Sequence, residues 1–95
     1  MIKSFGDKET EKVFNQVYSR KLPGLIQDRA LRKLIILNSA ESEKDLQVPV
    51  SNHFEYLKGS RMGECSIRIN EQWRIIFIWK GNNAYDVEIK DYHKG

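Results

Sequence analysis

The stretch Trp73-Arg74-Ile75-Ile76-Phe77-Ile78-Trp79 constrains the fold more than any other part of this 95-residue chain. Trp73, Ile75, Phe77 and Trp79 alternate along one side of an extended backbone, yet Ile76 and Ile78 opposite them are apolar as well. A strand with apolar residues on both faces belongs in the middle of a sheet, covered on much of both sides. The flanking segments read as strands too. Before it, Cys65, Ile67 and Ile69 alternate with Ser66, Arg68 and Asn70, the pattern of a half-buried strand. After it, Gly81-Asn82-Asn83 supplies residues that tolerate positive φ for a hairpin turn, and Tyr85, Val87 and Ile89 then alternate with Asp86, Glu88 and Lys90.

The first half of the chain has a different period. Residues 1–5 read as a short strand, and Asp7 as an N-cap with Glu9 and Glu11 in the first helical turn. Val13, Phe14, Val17 and Tyr18 recur at helical spacing and give that helix an apolar stripe. Pro23-Gly24 breaks the chain. A second helix follows, with Ile26, Ala30, Leu34 and Leu37 on one stripe, Leu31 and Ile35 beside it, and Asp28 and Arg32 four apart on its outer side. Two helices joined through a short Pro/Gly turn make an αα-hairpin. Residues 39–45 are polar and have room for one more helical turn, and Val48-Pro49-Val50 is an extended connector. Helices first and antiparallel strands after define an α+β fold, and the length suits one domain over residues 1–95.

The composition is that of a folded protein: 40% hydrophobic and 31% charged, which argues against disorder. No apolar run approaches the ~20 residues that span a bilayer. The opening MIKSFGDKET lacks the apolar stretch of a signal peptide. Cys65 is the only cysteine, so no intramolecular disulfide forms, and it reads as a small buried hydrophobe. A cytoplasmic protein without membrane association is expected.

Charge is concentrated in the sheet half. Lys58, Arg61, Arg68, Arg74 and Lys80 face only Glu64 and Glu71, a local excess as large as the net charge of +3 for the whole chain. Such a patch attracts a polyanion, or it is a solvated sheet surface whose lysines guard the edges. Arg74 interrupts the apolar central strand, where an unpaired guanidinium is expensive. Either a carboxylate of the chain satisfies it or it awaits a ligand's phosphate. The stretch from Lys58 to Gly63 is glycine-spaced and basic, but it lacks the order of a P-loop. His53 and His93 are far apart and the acids do not cluster, so no metal site is expected. Asp91-Tyr92-His93 sets a carboxylate, a phenol and an imidazole after the last strand; the alternative is a tail whose Tyr92 docks on the core.

Four motifs in order carry a resemblance: Leu57-Lys58-Gly59, SIRIN from Ser66 to Asn70, QWRI from Gln72 to Ile75, and the closing Asp91-Tyr92-His93. Together they resemble the HigB branch of the RelE/ParE toxin superfamily, which the MIKSF opening and the two-helix start also match. The resemblance implies an N-terminal αα-hairpin packed on a small twisted antiparallel sheet, a RelE-like fold. It implies a toxin of a bacterial toxin–antitoxin pair that enters the A site of the small ribosomal subunit and cuts mRNA, with neither metal nor cofactor. In that chemistry a 2′-OH attacks the adjacent phosphate, a base takes its proton, an acid protonates the leaving oxygen, and cations stabilise the phosphoryl charge. By resemblance Lys58 and Arg74 hold the phosphate, Asp91 and His93 handle protons, Tyr92 stacks, and Arg61 and Arg68 touch the RNA backbone. Some relatives carry a histidine where this chain has Glu55, so the acid and base roles among Glu55, Asp91, Tyr92 and His93 stay open. The superfamily also contains ParE-type inhibitors that bind DNA gyrase without catalysis, and an inactivated toxin serving as a binding partner is a third reading. A HigA-like helix-turn-helix antitoxin is the implied partner. Arg20, Lys21, Arg29, Arg32 and Lys33 on the helix pair offer it a surface, or solvate the helices, or touch ribosomal RNA.

Overall fold

The computed structural model describes residues 1–92. Three helices, α1 (Lys8–Phe14), α2 (Gly24–Ser39) and the single turn α3 (Glu43–Leu46), precede four strands. These are β1 (Glu55–Tyr56), β2 (Cys65–Arg68), β3 (Trp73–Lys80) and β4 (Asn83–Asp91), paired antiparallel in chain order. The fold is α+β, as the change of period requires.

α1 starts where Asp7 Oδ1 accepts the Thr10 amide at 2.7 Å, with Glu9 and Glu11 in its first turn. It ends sooner than its apolar stripe implies. The Val17 amide donates to Lys12 O at 2.8 Å and the Gln16 amide to Val13 O at 3.0 Å, with Gln16 left-handed at φ 62°. This is a Schellman ending with glutamine at the position usually held by glycine. It turns Val17 and Tyr18 into solvent, so only Val13 and Phe14 of the expected stripe reach the core. α2 buries Ile26, Ala30, Leu34 and Leu37 as their spacing predicts, whereas Ile35 is 48% exposed. Among the described residues Asp28 and Arg32 form no ion pair.

β3 is the central strand that its two apolar faces demand. Ile75 and Phe77 are fully buried among the core residues, and Ile76 is buried on the opposite face. Ser66 of β2, an outward position in a half-buried strand, is fully buried as well. Gly81 and Asn82 form a two-residue turn, both at positive φ (57° and 61°). The alternation of β4 then slips. Ile76 opposes Glu88 but Ile78 opposes Tyr85, with Asp86 at φ 53° in the bulge. Ala84 rather than Tyr85 therefore joins Val87 and Ile89 in the core, which corrects the simple alternation.

Residues 1–5 lie parallel to β4 through bridges at Ile2/Ala84 and Phe5/Val87. Ser4 Oγ accepts the Asp86 amide at 2.9 Å and Ser4 O accepts the Val87 amide at 3.1 Å, which holds the bulge. Further along, Thr10 Oγ1 of α1 accepts the Ile89 amide at 2.8 Å. β4 is thus held on both edges, and its end is aimed rather than loose.

Candidate active site

Strand register assembles a polar surface on the face of the sheet away from the helices. Glu55 opposes Ser66, Ser66 opposes Ile76, and Arg68 opposes Arg74, which opposes Lys90. Arg74 Nη1 donates to Ser66 Oγ at 2.7 Å and to the carbonyl of His53 at 3.2 Å, and lies 3.5 Å from Glu55 Oε1. A carboxylate of the chain therefore does meet the central-strand cation. It does not saturate it: every one of these contacts uses Nη1, and among the described residues Nε and Nη2 make no hydrogen bond. The Tyr92 ring centroid sits 5.8 Å from Arg74 Cζ, a cation–π contact on the same face.

The motif around Gln72 builds this arrangement. Asn70 Oδ1 accepts the amides of Gln72 and Trp73 at 2.8 and 2.7 Å, which forms the β2–β3 turn. Gln72 then clasps the chain end twice. Its carbonyl accepts the Tyr92 amide at 2.8 Å, and its Nε2 donates to Asp91 Oδ2 at 2.9 Å. Turn, clasp and cation come from one short segment.

The sequence candidates do not all converge. Asp91 pairs with Trp73, so strand alternation sets it on the face of Trp73 and Ile89, opposite the one that carries Arg74. Tyr92 meets Arg74 on that other face, and His93 lies outside the described residues. Lys58 is exposed in the β1–β2 loop, where Gly59 at φ 67° turns the chain into the short 3₁₀ segment Gly59–Arg61. Arg61 is ion-paired with Glu64 at 3.1 Å, so its charge is shared. Arg68 leans away from the Arg74 cluster: Nε donates to Asn70 O at 3.1 Å, and Nη1 lies 3.4 Å from His53 Nε2. Two contributors escaped sequence reasoning. Ser66 is the buried acceptor for Arg74, and His53 at φ 44° touches both arginines.

Cys65 is buried, and burial pushes its thiol up to about 11, which suits the hydrophobic role expected of it. Among the described residues no three His, Cys, Asp or Glu group as a metal site needs, and no helix is long and apolar enough to cross a membrane.

The same architecture occurs in two solved structures. They are YoeB–YefM toxin–antitoxin complexes of Staphylococcus aureus, with TM-scores of 0.54 and 0.56 at 19% and 20% identity, each over 98% of both chains. The likeness is one of fold: a helix pair packed on a small antiparallel sheet. The chain belongs to the HigB-like toxin family, the RelE-like toxins of the type II toxin–antitoxin system HigB, whose profile matches residues 3–93. It is 40% identical to Toxin HigB-1 of Vibrio cholerae serotype O1, over 99% of both chains. It is 31% identical to Endoribonuclease HigB of Proteus vulgaris, over 98% of this chain and 100% of that one.

Proposed function

We propose that this chain is an endoribonuclease which cuts mRNA in the ribosomal A site and is held in check by a HigA-like helix-turn-helix antitoxin. It acts in the cytoplasm as a single toxin domain. The observation that carries the reading is the Arg74–Glu55 pair: a cation 12% exposed whose Nε and Nη2 are unbonded among the described residues, set 3.5 Å from a carboxylate 33% exposed. A guanidinium fork of this kind matches two phosphoryl oxygens. The Proteus vulgaris relative supports the reaction class by name.

The reaction then runs as follows. Arg74, with Lys58 from the neighbouring loop, binds the scissile phosphate and stabilises the charge that builds on its oxygens. Glu55 takes the proton of the 2′-OH as that oxygen attacks phosphorus. The P–O5′ bond breaks, leaving a 2′,3′-cyclic phosphate, and His93 gives its proton to the departing 5′-oxygen. Tyr92 presents its ring for base stacking next to Arg74. Asp91 serves from the other face by fixing the strand end through Gln72, and Arg61 lends partial charge to the backbone.

Inducing the chain in a bacterium and mapping new mRNA 5′ ends against reading frame tests the proposal. Cuts should cluster within translated codons. DNA breaks trapped on gyrase, with mRNA intact, would replace the nuclease reading with the ParE-type one.

A further inference from the structure

Around the sheet edge from Arg74, α2 and the β2–β3 turn enclose a cleft of about 530 Å³. Arg29, Arg32 and Lys33 line it from α2, and His53 and Arg68 from the sheet side, against the single carboxylate of Glu71. Among the described residues none of these four cations has a carboxylate within ion-pair distance. Lys33 is the unusual one. It is 9% exposed, and its Nζ donates to Asn52 Oδ1 at 2.7 Å and to Ser51 Oγ at 3.3 Å, both neutral. Asn52 is fully buried and fixed in turn by the carbonyls of Leu46 and Val48. Burial and the nearby Arg29 both push the Lys33 pKa down. A desolvated ammonium with neutral partners, crowded by arginines, is a costly arrangement that a bound anion relieves.

The cleft also shares a residue with the proposed active site. His53 links them, its carbonyl accepting from Arg74 Nη1 while its Nε2 contacts Arg68 Nη1. We propose that this cleft is a second phosphate subsite, binding an RNA backbone phosphodiester other than the one cut. Guanidinium forks favour phosphate, and the position beside Arg74 favours RNA over an acidic protein segment. The inference rests on the nuclease reading. The phosphate comes either from the strand being cut or from ribosomal RNA.

Two measurements test it. In the first, amide NMR follows titration of the full chain with a short 2′-O-methyl single-stranded RNA, which cannot be cleaved. Shifts should appear at the Asn52 side-chain amide and along α2, vanish in Arg29→Ala/Arg32→Ala, and return in Arg29→Lys/Arg32→Lys. In the second, cleavage is timed on mRNA-programmed ribosomes. The alanine pair should raise apparent KM about tenfold or more, and each lost phosphate contact should flatten its log–log salt dependence by about 0.7. Uncharged methylphosphonate linkages flanking the cut site distinguish the sources. If they raise the parent's KM as the alanine pair does, the phosphate belongs to the cut strand; if they change nothing, it belongs to ribosomal RNA. Absent cleft shifts together with unchanged KM and salt dependence would overturn the subsite while leaving Arg74-dependent cleavage standing. Cleft shifts without any cleavage would keep the subsite and defeat the nuclease reading. Lost antitoxin binding with normal KM in Arg29→Glu/Arg32→Glu would make the cleft a protein contact and overturn the proposal.

Discussion

Replacing Arg74 with alanine separates what this residue does for the fold from what it does for a phosphate. On the fold side the variant loses the hydrogen bonds to Ser66 Oγ (2.7 Å) and His53 O (3.2 Å). Each contributes about 0.5–1.5 kcal/mol net, so the loss is about 1–3 kcal/mol. For a domain of this size that lowers Tm by about 4–8 °C per kcal/mol and leaves the protein folded at 25 °C. Glu55, with a side chain 33% exposed, returns to water, so its separation from Arg74 adds little. On the reaction side the loss is larger. If Nε and Nη2 meet the phosphoryl oxygens, their removal costs kcat a factor of about 10²–10³. Arg74→Lys keeps the charge but not the fork, and should fall between the two. Single-turnover cleavage of mRNA on programmed ribosomes, with circular dichroism melts of the same samples, reads both effects. Cleavage by the folded alanine variant within about threefold of the parent would refute the assignment of Arg74 to the phosphate.

Thr10→Val should lower stability by about 1–3 kcal/mol by leaving the Ile89 amide without its acceptor, and faster hydrogen exchange at that amide identifies the cause. His93→Ala should abolish growth arrest on induction with the melting temperature unchanged, and retained toxicity would remove it from the proton-donor role. Lys58→Ala, at an exposed loop position, should weaken cleavage without unfolding the chain, which titration of programmed ribosomes will show. Cleavage should persist in excess EDTA once polyamine keeps the ribosomes assembled; a strict requirement for Mn²⁺ or Zn²⁺ there would reveal a metal role.

What was legible in the sequence is what depends on local periodicity. The stripe of Ile26, Ala30, Leu34 and Leu37 and the two-faced apolar run of β3 are properties of adjacent residues, and both occur where their spacing puts them. The misses have non-local causes. Val17 and Tyr18 leave the core because Gln16 takes a left-handed cap without the glycine that signals one. β4 slips by a residue because Ser4, from the far end of the chain, holds the Asp86 bulge. The motif of the proposed active site was visible in Gln72 and Arg74, yet the acceptors of Arg74, Ser66 and the carbonyl of His53, reach it only through sheet pairing and a connector. Which face each of Asp91 and Tyr92 takes was not legible for a simpler reason. Adjacency along a chain suggests a shared site, but in an extended strand neighbours point to opposite faces. With Asp91 paired to Trp73 and Tyr92 against Arg74, the carboxylate that serves the cation must come from elsewhere in the sheet. Glu55 meets that requirement, because β1 pairs with β2 and sets it opposite Ser66, on the same face as Arg74.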